Sequence, residues 1–394
     1  MTGRMASRAR FVVLLAALIA LTLAIAVAPA QARMAPGQAE LRTAAAALVR
    51  SGVPGVSVRY QDGRRSFAID LGTAHRGTKR PIRPGLHFRI AGATKSFTAV
   101  VVLQLVGEGR LSVDDSVEEW LPGLASDGAR ITVRELLAMR SGLSDYLAPD
   151  PQRVLAPVRN PSFWWPTLSL AQVGILQPRD FPPGTGYAYS NTNYLLLQLI
   201  VEKITGMPFG QELRRRVLRP LRLDDTTFPV VKRTLPRPAA HGYVLEAGRA
   251  LRDVTRLSPS IAGASGAIVS TTRDLGRFYR ALNAGRLLRS RELGEMRTPF
   301  SRLGPAASYG LGLFRLGVKG CGPPGWGHSG EIAGFQSFAL SSSDGRRSVV
   351  MLLNGSGGPA KLFELRGQPF AAKQRAIEVL TCAVGAGLKK DAQT

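Results

Sequence analysis

Cysteine, histidine and acidic residues are all scarce in this chain of 394 residues. Its two cysteines and four histidines show none of the paired spacings typical of zinc modules, so the sequence predicts no metal site. There is no internal repeat, and glycine and proline follow no short period, which excludes repeat and fibrous architectures. Hydrophobic residues make up 45% of the chain and charged residues 20%, a balance typical of globular proteins.

The shortage of acids leaves the chain strongly basic. Lysine and arginine total 52 against 27 acidic residues, which gives a net charge of +25. The basic residues are scattered, whereas nucleic-acid-binding proteins concentrate them on one helix or tail. We therefore expect no nucleic-acid partner. A basic surface of this kind favours electrostatic contact with anionic polymers or lipids of a cell envelope.

The long apolar run of the chain lies at its N-terminus. It spans residues 11–27, follows three arginines and precedes an A-x-A sequence at 30–32. This order is typical of a cleavable signal peptide, so we expect residues 1–32 to be removed and the protein to be secreted, either extracellular or in the cell envelope. The alternative is an uncleaved anchor, although about 17 apolar residues are few for a bilayer core.

Both cysteines, Cys321 and Cys382, lie beyond this segment. An even number of cysteines in an oxidising compartment predicts one disulfide between them. Two buried free thiols are the alternative interpretation.

Hydrophobic periodicity predicts mixed α and β structure in the first part of the chain. Residues 36–51 predict a helix, and residues 56–71 predict a hairpin that turns at a D-G step. Residues 86–90 predict a short strand. Residues 94–108 predict a helix that is apolar on nearly every side, and such a helix is expected to be buried all round.

The middle of the chain, residues 110–255, is predicted to be helical without a convincing strand. From about residue 261 the pattern returns to mixed α and β structure. The expected elements of these two parts are helices at 131–142 and 192–206, a helix at 271–285 capped by Thr271 or Thr272, strands at 309–314, 336–341 and 348–354, and a closing helix at 373–387.

This order predicts an α+β fold, in which N- and C-terminal helices flank an antiparallel sheet and an all-helical lobe is inserted. We expect one domain over residues 33–387. Its α/β lobe would comprise 33–110 and 261–387, its helical lobe 111–260, and residues 388–394 would form a tail.

Three short motifs stand out: GATK at 92–95 opening the buried helix, YSN at 189–191 before a second helix, and HSG at 328–330 before a strand. Their order and spacing resemble the motifs of the penicillin-recognising serine hydrolases. That family includes D-alanyl-D-alanine carboxypeptidases, class C β-lactamases and related esterases. The resemblance covers about residues 36–387 and implies a β-lactamase/transpeptidase-like fold.

The family's first motif is S-x-x-K, in which the lysine lies one helical turn after the nucleophilic serine and acts on its hydroxyl. The resemblance therefore implies that Lys95 is the catalytic base. It likewise implies that Tyr189 relays a proton between the nucleophile and the leaving group.

The same resemblance implies a set of substrate-binding groups. Asn191 would bind the substrate amide, and His328 and Gly330 would lie along a strand that pairs with the substrate backbone. The backbone N–H groups of Gly92 and Glu331 would form the oxyanion hole.

The chain departs from the family at the position of the nucleophile, where Gly92 replaces serine and offers no hydroxyl. Ser96 lies about 6 Å further along the helix axis. Ser190 is better placed but is expected to line the pocket, so we assign the role of nucleophile to neither, and whether another nucleophile acts stays open. One hypothesis is a hydrolase scaffold for D-Ala-D-Ala peptides or related amides and esters. The other is an inactive pseudoenzyme that binds cell-wall peptides or β-lactam-like ligands.

Both hypotheses imply a small-molecule or peptide partner from the cell wall, no cofactor, and a monomer. The histidine of the third motif favours the carboxypeptidase branch of the family over the class C β-lactamases. Because pocket shape sets the choice among peptides, β-lactams and esters, all three substrate classes stay open at this point.

Overall fold

The computed structural model of the protein describes residues 36–147, 160, 164–245, 251–357 and 368–389. The predicted signal peptide and most of the predicted tail lie outside these residues. Within the described part of the chain, no helix is both long enough and apolar enough to cross a membrane.

The centre of the fold is a nine-stranded sheet in which every neighbouring pair is antiparallel. The strands, in chain order, are β1 (Gly55–Asp62), β2 (Arg65–His75), β3 (Arg80–Pro81), β4 (Phe88–Arg89), β5 (Tyr243–Leu245), β6 (Leu251–Asp253), β7 (Val269–Ser270), β8 (Ser301–Gly304), β9 (Ala307–Tyr309), β10 (Phe314–Leu316), β11 (Gly325–Ile332), β12 (Phe335–Ser341), β13 (Arg347–Leu353) and β14 (Gly355–Gly357). The large sheet has the spatial order β3-β2-β1-β13-β12-β11-β10-β9-β8, while β14-β5-β6 and β4-β7 form two small sheets.

Helices cover both faces of the large sheet. In chain order they are α1 (Gln38–Arg50), α2 (Thr94–Gly107), α3 (Val117–Trp120), α4 (Val133–Leu137), α5 (Thr167–Ile175), α6 (Asn191–Thr205), α7 (Phe209–Leu213), α8 (Gly263–Gly266), α9 (Thr272–Asn283), α10 (Ser290–Arg297) and α11 (Gln368–Ala386). The first and last helices, α1 and α11, pack together over one face. The remaining core lies on the other face, between the sheet and the helical lobe.

The predicted α+β architecture is therefore confirmed. Helix α2 lies between the sheet and the helical lobe, and all of its residues from Thr94 to Leu103 are buried. This position explains why its sequence is apolar all round, since it has no face toward solvent. The predicted Thr271 cap is also present, because its side chain accepts a hydrogen bond from the Asp274 backbone N–H at the start of α9.

Four sequence predictions were wrong in detail. The stretch 110–255 does contain strands, β5 and β6, but each has only three residues, too few for alternation to be recognised. The helix expected at 131–142 is the shorter α4, which is followed by Met139 with a positive φ of 60°. The strand expected at 86–90 is reduced to β4.

The fourth error is the strand expected at 309–314. Residues 310–313 instead form a turn between β9 and β10. Gly312 has a φ of 72° there, and a Cβ at this position would lie 2.7 Å from Ala99 Cβ. The turn therefore packs against α2 and requires glycine.

The predicted disulfide between Cys321 and Cys382 is confirmed. It joins the segment before β11 to the last turns of α11, across a sequence separation of 61. The two backbones approach closely beside it, because a Cβ on Gly385 would lie only 2.2 Å from the Cys321 carbonyl oxygen. The closing helix is thus fixed to the sheet near the third sequence motif.

Candidate active site

The first motif lies where a tight turn at Ala91–Ala93 leads into α2. Ala91 has a left-handed φ of 48°, an unusual conformation for a residue other than glycine. Strand β11 passes directly beside this turn. A Cβ on Gly330 would lie 2.4 Å from the Ile90 carbonyl oxygen and 2.5 Å from the Gly92 nitrogen. Only glycine allows the third motif to come this close to the first.

Gly92 faces the second motif as well. A Cβ built on Gly92 would lie 2.9 Å from the Tyr189 hydroxyl and 3.0 Å from the Ser329 carbonyl oxygen. The structure therefore brings all three motifs together around Gly92, at the place where the family resemblance puts the nucleophile. The space beside Gly92 is slightly too narrow for a side chain. The Tyr189 hydroxyl and the Ser329 carbonyl oxygen would have to move a little to admit a Cβ.

Lys95 is fully buried one turn beyond Gly92. Its Nζ donates to Asn191 Oδ1 at 2.7 Å and to the Ser265 carbonyl oxygen at 2.8 Å, and it lies 4.6 Å from the centre of the Tyr189 ring. Burial lowers the pKa of Lys95 to about 7, although the nearby Asp145 carboxylate acts in the opposite direction. A lysine with this pKa is partly neutral near pH 7 and can accept a proton.

Asp145 is a member of the site that sequence reasoning missed. Its Oδ2 accepts a hydrogen bond of 2.8 Å from Asn191 Nδ2, so Asn191 bridges the carboxylate and the Lys95 ammonium. Burial raises the pKa of Asp145, against the effect of hydrogen bonds and of Lys95. No local signal in the sequence marked this acid, because it lies in the loop eight residues beyond the end of α4 and only the fold brings it to Asn191.

Replacement of Lys95 by methionine should change how stability depends on pH. The folded-state pKa of about 7 lies below the model-compound value of 10.5, so between these values the unfolded chain holds a proton that the folded protein has released. The free energy of unfolding should therefore rise with pH across this window, by at most about 1.4 kcal/mol per pH unit. Lys95→Met should flatten that rise, as measured by urea denaturation at several pH values.

Lys203→Met is the matched control, because Lys203 is an exposed lysine on α6. It should keep the pH dependence of the unaltered protein. Equal slopes in the Lys95→Met variant and the unaltered protein would contradict the assignment of the effect to Lys95.

The sequence predicted that His328 precedes a strand. It lies instead inside β11, and it is buried. Its Nδ1–H donates to the Ser329 carbonyl oxygen, and its Nε2 accepts from the Tyr309 hydroxyl at 3.2 Å. The ring packs against Phe314, with centroids 4.7 Å apart. Burial, together with the charge of Lys95, lowers the pKa of His328 to about 3. The third motif therefore presents a neutral polar ring at physiological pH.

Beyond its first residues, β11 has an open edge. Strand β10 pairs with β11 only over Gly325–Gly327, whereas β12 pairs along its whole length. Among the described residues, no strand covers 328–332 on the side of the Ala91–Ala93 turn. An extended substrate can pair with such an edge. Glu331 directs its carboxylate elsewhere, toward Lys373 Nζ of α11 at 3.4 Å, so only its backbone is available to the cleft.

Neither alternative serine is placed as a nucleophile. The Ser96 hydroxyl donates to the Gly312 carbonyl oxygen at 2.7 Å and accepts from the Tyr279 hydroxyl at 3.1 Å, so it is engaged away from the cleft. Ser190 is 1% exposed, and its buried hydroxyl has no hydrogen-bond partner among the described residues. Neither hydroxyl forms a hydrogen bond to Lys95, whose Nζ bonds to Asn191 and Ser265.

The fold and the convergence of three motifs define a protein of the penicillin-recognising serine hydrolase fold. Residues 31–371 match the Beta-lactamase family, and the chain belongs to that family.

Three relatives show how widely the likeness extends. The chain is 29% identical over 333 residues to penicillin-binding protein 4 of Amycolatopsis lactamdurans, covering 79% of this chain and 83% of that protein. The structure of a D-stereospecific amidohydrolase from Streptomyces sp. is 36% identical, with a TM-score of 0.78 over 88% of this chain and 99% of the other. The structure of a D-amino acid amidase from Ochrobactrum anthropi SV3, complexed with L-phenylalanine amide, is 29% identical. Its TM-score is 0.75, and the match covers 86% of this chain and 97% of the other.

Proposed function

We propose that this protein is exported and binds D-amino acid amides and short D-amino acid peptides with an amidated carboxyl end, without forming an acyl-enzyme. One observation carries the proposal. Gly92 stands at the meeting point of three otherwise complete motifs and has no hydroxyl. Loss of the nucleophile of a covalent hydrolase costs about six orders of magnitude in kcat, whereas backbone donors and the open edge of β11 do not depend on that side chain.

The environment of His328 is the reason why we propose amides, rather than free acids, as the ligands. Its low pKa leaves the ring uncharged, and both ring nitrogens are already bonded within the protein. The third motif thus offers no cation to a substrate carboxylate, whose burial without a partner is costly. A neutral carboxamide avoids this cost. The D-stereospecific amidohydrolase and D-amino acid amidase among the similar structures support the same substrate class.

A second candidate function is slow hydrolysis without a covalent intermediate. Lys95, with a pKa of about 7 next to Gly92, favours it. A water oxygen would bond to the substrate carbonyl carbon while its proton passes to Lys95. The C–N bond would then break, and the same proton would leave with the amine. The products are the free D-amino acid and ammonia or an amine.

The protein should bind D-phenylalanine amide and remain free of covalent adduct. We expect saturable binding in calorimetry, with weaker binding of L-phenylalanine amide and of D-phenylalanine. Intact mass after incubation with benzylpenicillin should be unchanged. Tyr189→Phe should weaken binding, because the Tyr189 hydroxyl faces the reacting position. The control is Tyr243→Phe, whose hydroxyl instead accepts a hydrogen bond from the Arg76 backbone N–H outside the cleft.

The outcomes separate the two candidates. Binding without product supports the binding function, and slow release of D-phenylalanine that disappears in Lys95→Met supports hydrolysis by water. A stable penicillin adduct would overturn both, because it requires another nucleophile. Export is tested separately, by whether the protein recovered from outside the source cell begins after Ala32.

A further inference from the structure

A second cluster of chemically capable side chains lies outside the cleft. His75 ends β2, His241 precedes β5, and Asp253 ends β6. The two imidazole rings are stacked with centroids 3.9 Å apart and planes within 13° of parallel. One potential ligand atom from each of the three residues lies within 4.8 Å of the others. Because His75 and His241 are 166 positions apart in the sequence, no motif spacing predicts the cluster.

The Nδ1 atom of each ring takes part in a hydrogen bond. His241 Nδ1–H donates to Asp253 Oδ2 at 2.7 Å, and His75 Nδ1 is bonded to the Thr78 hydroxyl at 3.0 Å. Among the described residues, no hydrogen bond engages Nε2 of either ring. Metal-binding histidines commonly show this arrangement, in which one ring nitrogen is bonded to a carboxylate or hydroxyl and the other carries a free lone pair.

The backbone that carries the cluster is held in place. The His241 N–H donates to the Ala74 carbonyl oxygen at 2.8 Å. The buried Asn354 side chain donates at 3.0 Å to both the Thr73 and the His241 carbonyl oxygens. These hydrogen bonds hold the segment before His75 against the segment at His241, and so keep the two rings next to each other.

The cluster is also the accessible imidazole site of the chain. Of the four histidines, His87 and His328 are buried at 4% and 2% exposure, and both cysteines are in the disulfide. The side chains of His241 and Asp253 are 36% and 43% exposed. His75 is partly exposed as well. An ion that prefers nitrogen ligands can therefore reach both histidine rings from solvent.

We propose that His75 and His241 bind a divalent transition metal ion through their Nε2 atoms. Asp253 supports the site by accepting the Nδ1–H of His241, and water fills the remaining positions. Imidazole nitrogen suits Zn²⁺, Cu²⁺ and Ni²⁺ better than Mg²⁺ or Ca²⁺. Tetrahedral Zn²⁺ with Zn–N bonds of about 2.0–2.1 Å requires the stacked rings to turn until both Nε2 atoms point at the same ion. The bound ion would fasten β2 to the segment leading into β5.

The test is titration of the metal-free protein with Zn²⁺. Calorimetry should show one ion per chain and the melting temperature should rise, because an ion that binds only the folded state stabilises it. His75→Gln and His241→Gln should each weaken binding by at least about tenfold, and Asp253→Asn by about 10- to 100-fold. Asp62→Asn is the matched control, since Asp62 is a carboxylate paired with Arg346 elsewhere on the sheet, and it should bind as the unaltered protein does.

A second measurement needs no substitution. Electron paramagnetic resonance of the unaltered protein with one equivalent of Cu²⁺ should show hyperfine coupling to two nitrogen ligands. The proposal is overturned by absence of Zn²⁺ binding, by coupling to fewer than two nitrogens, or by Zn²⁺ binding that persists in the His75→Gln/His241→Gln double variant.

Discussion

Gly92→Ser should convert the protein into one that is covalently labelled by penicillin. The new hydroxyl would stand one helical turn from Lys95, whose pKa of about 7 suits it to take the proton, and beside the Tyr189 hydroxyl. We expect a stable adduct in intact mass spectra. The kcat for hydrolysis of D-phenylalanine amide should increase by at least about three orders of magnitude. This is less than the about six orders of magnitude by which loss of a nucleophile lowers kcat.

Gly92→Ala is the matched control for this experiment, because it adds the same Cβ without a hydroxyl. Both variants require Tyr189 and the Ser329 carbonyl oxygen to shift by a few tenths of an ångström, which we expect to cost about 1 kcal/mol of stability. Only the serine variant should form the adduct, and addition of Lys95→Met should abolish it. If Gly92→Ser folds and remains unlabelled, the missing hydroxyl is not what prevents acylation.

Removal of the disulfide should have the largest effect on stability. The bond between Cys321 and Cys382 closes a loop with a sequence separation of 61. Loop entropy in the unfolded chain then corresponds to about 4 kcal/mol of stabilisation. A Cys321→Ser/Cys382→Ser variant should unfold at correspondingly lower urea concentration. The unaltered protein should approach that midpoint when a reductant is added.

The double variant itself supplies the control, since reductant should leave its midpoint unchanged. Labelling of the denatured, unreduced protein with a thiol reagent should find no free thiol. Two reactive thiols per chain, or a midpoint that is insensitive to reductant, would show that the bond does not form in solution.

The parts of the fold that could be predicted from sequence are those set by local patterns. Helix α2 was recognisable because its apolar residues are continuous, and the order of α1, β1 and β2 followed from periodicity and a D-G turn. The pairing of Cys321 with Cys382 followed from their number alone. The resemblance of the three motifs to those of the penicillin-recognising serine hydrolases located Lys95, because that family keeps a fixed spacing along one helix.

The remaining features depend on contacts between distant segments. Strands β5 and β6 are short, and they exist because they pair with each other and with β14. Asp145 acquires its role only when the fold brings Asn191 beside it. His328 is neutral because Tyr309 and Phe314, from two other strands, bury its ring. No local pattern encodes such burial.

The close approach of Gly330 to the turn at Gly92 also has an evolutionary consequence. The atoms of Ile90 and Gly92 that Gly330 approaches are main-chain atoms. A mutation of residue 92 alone therefore leaves Gly330, Lys95 and Tyr189 unchanged in the sequence. A glycine codon and a serine codon can differ by a single base. Where the codon at position 92 is GGT or GGC, a single base change places a serine beside Lys95 and Tyr189.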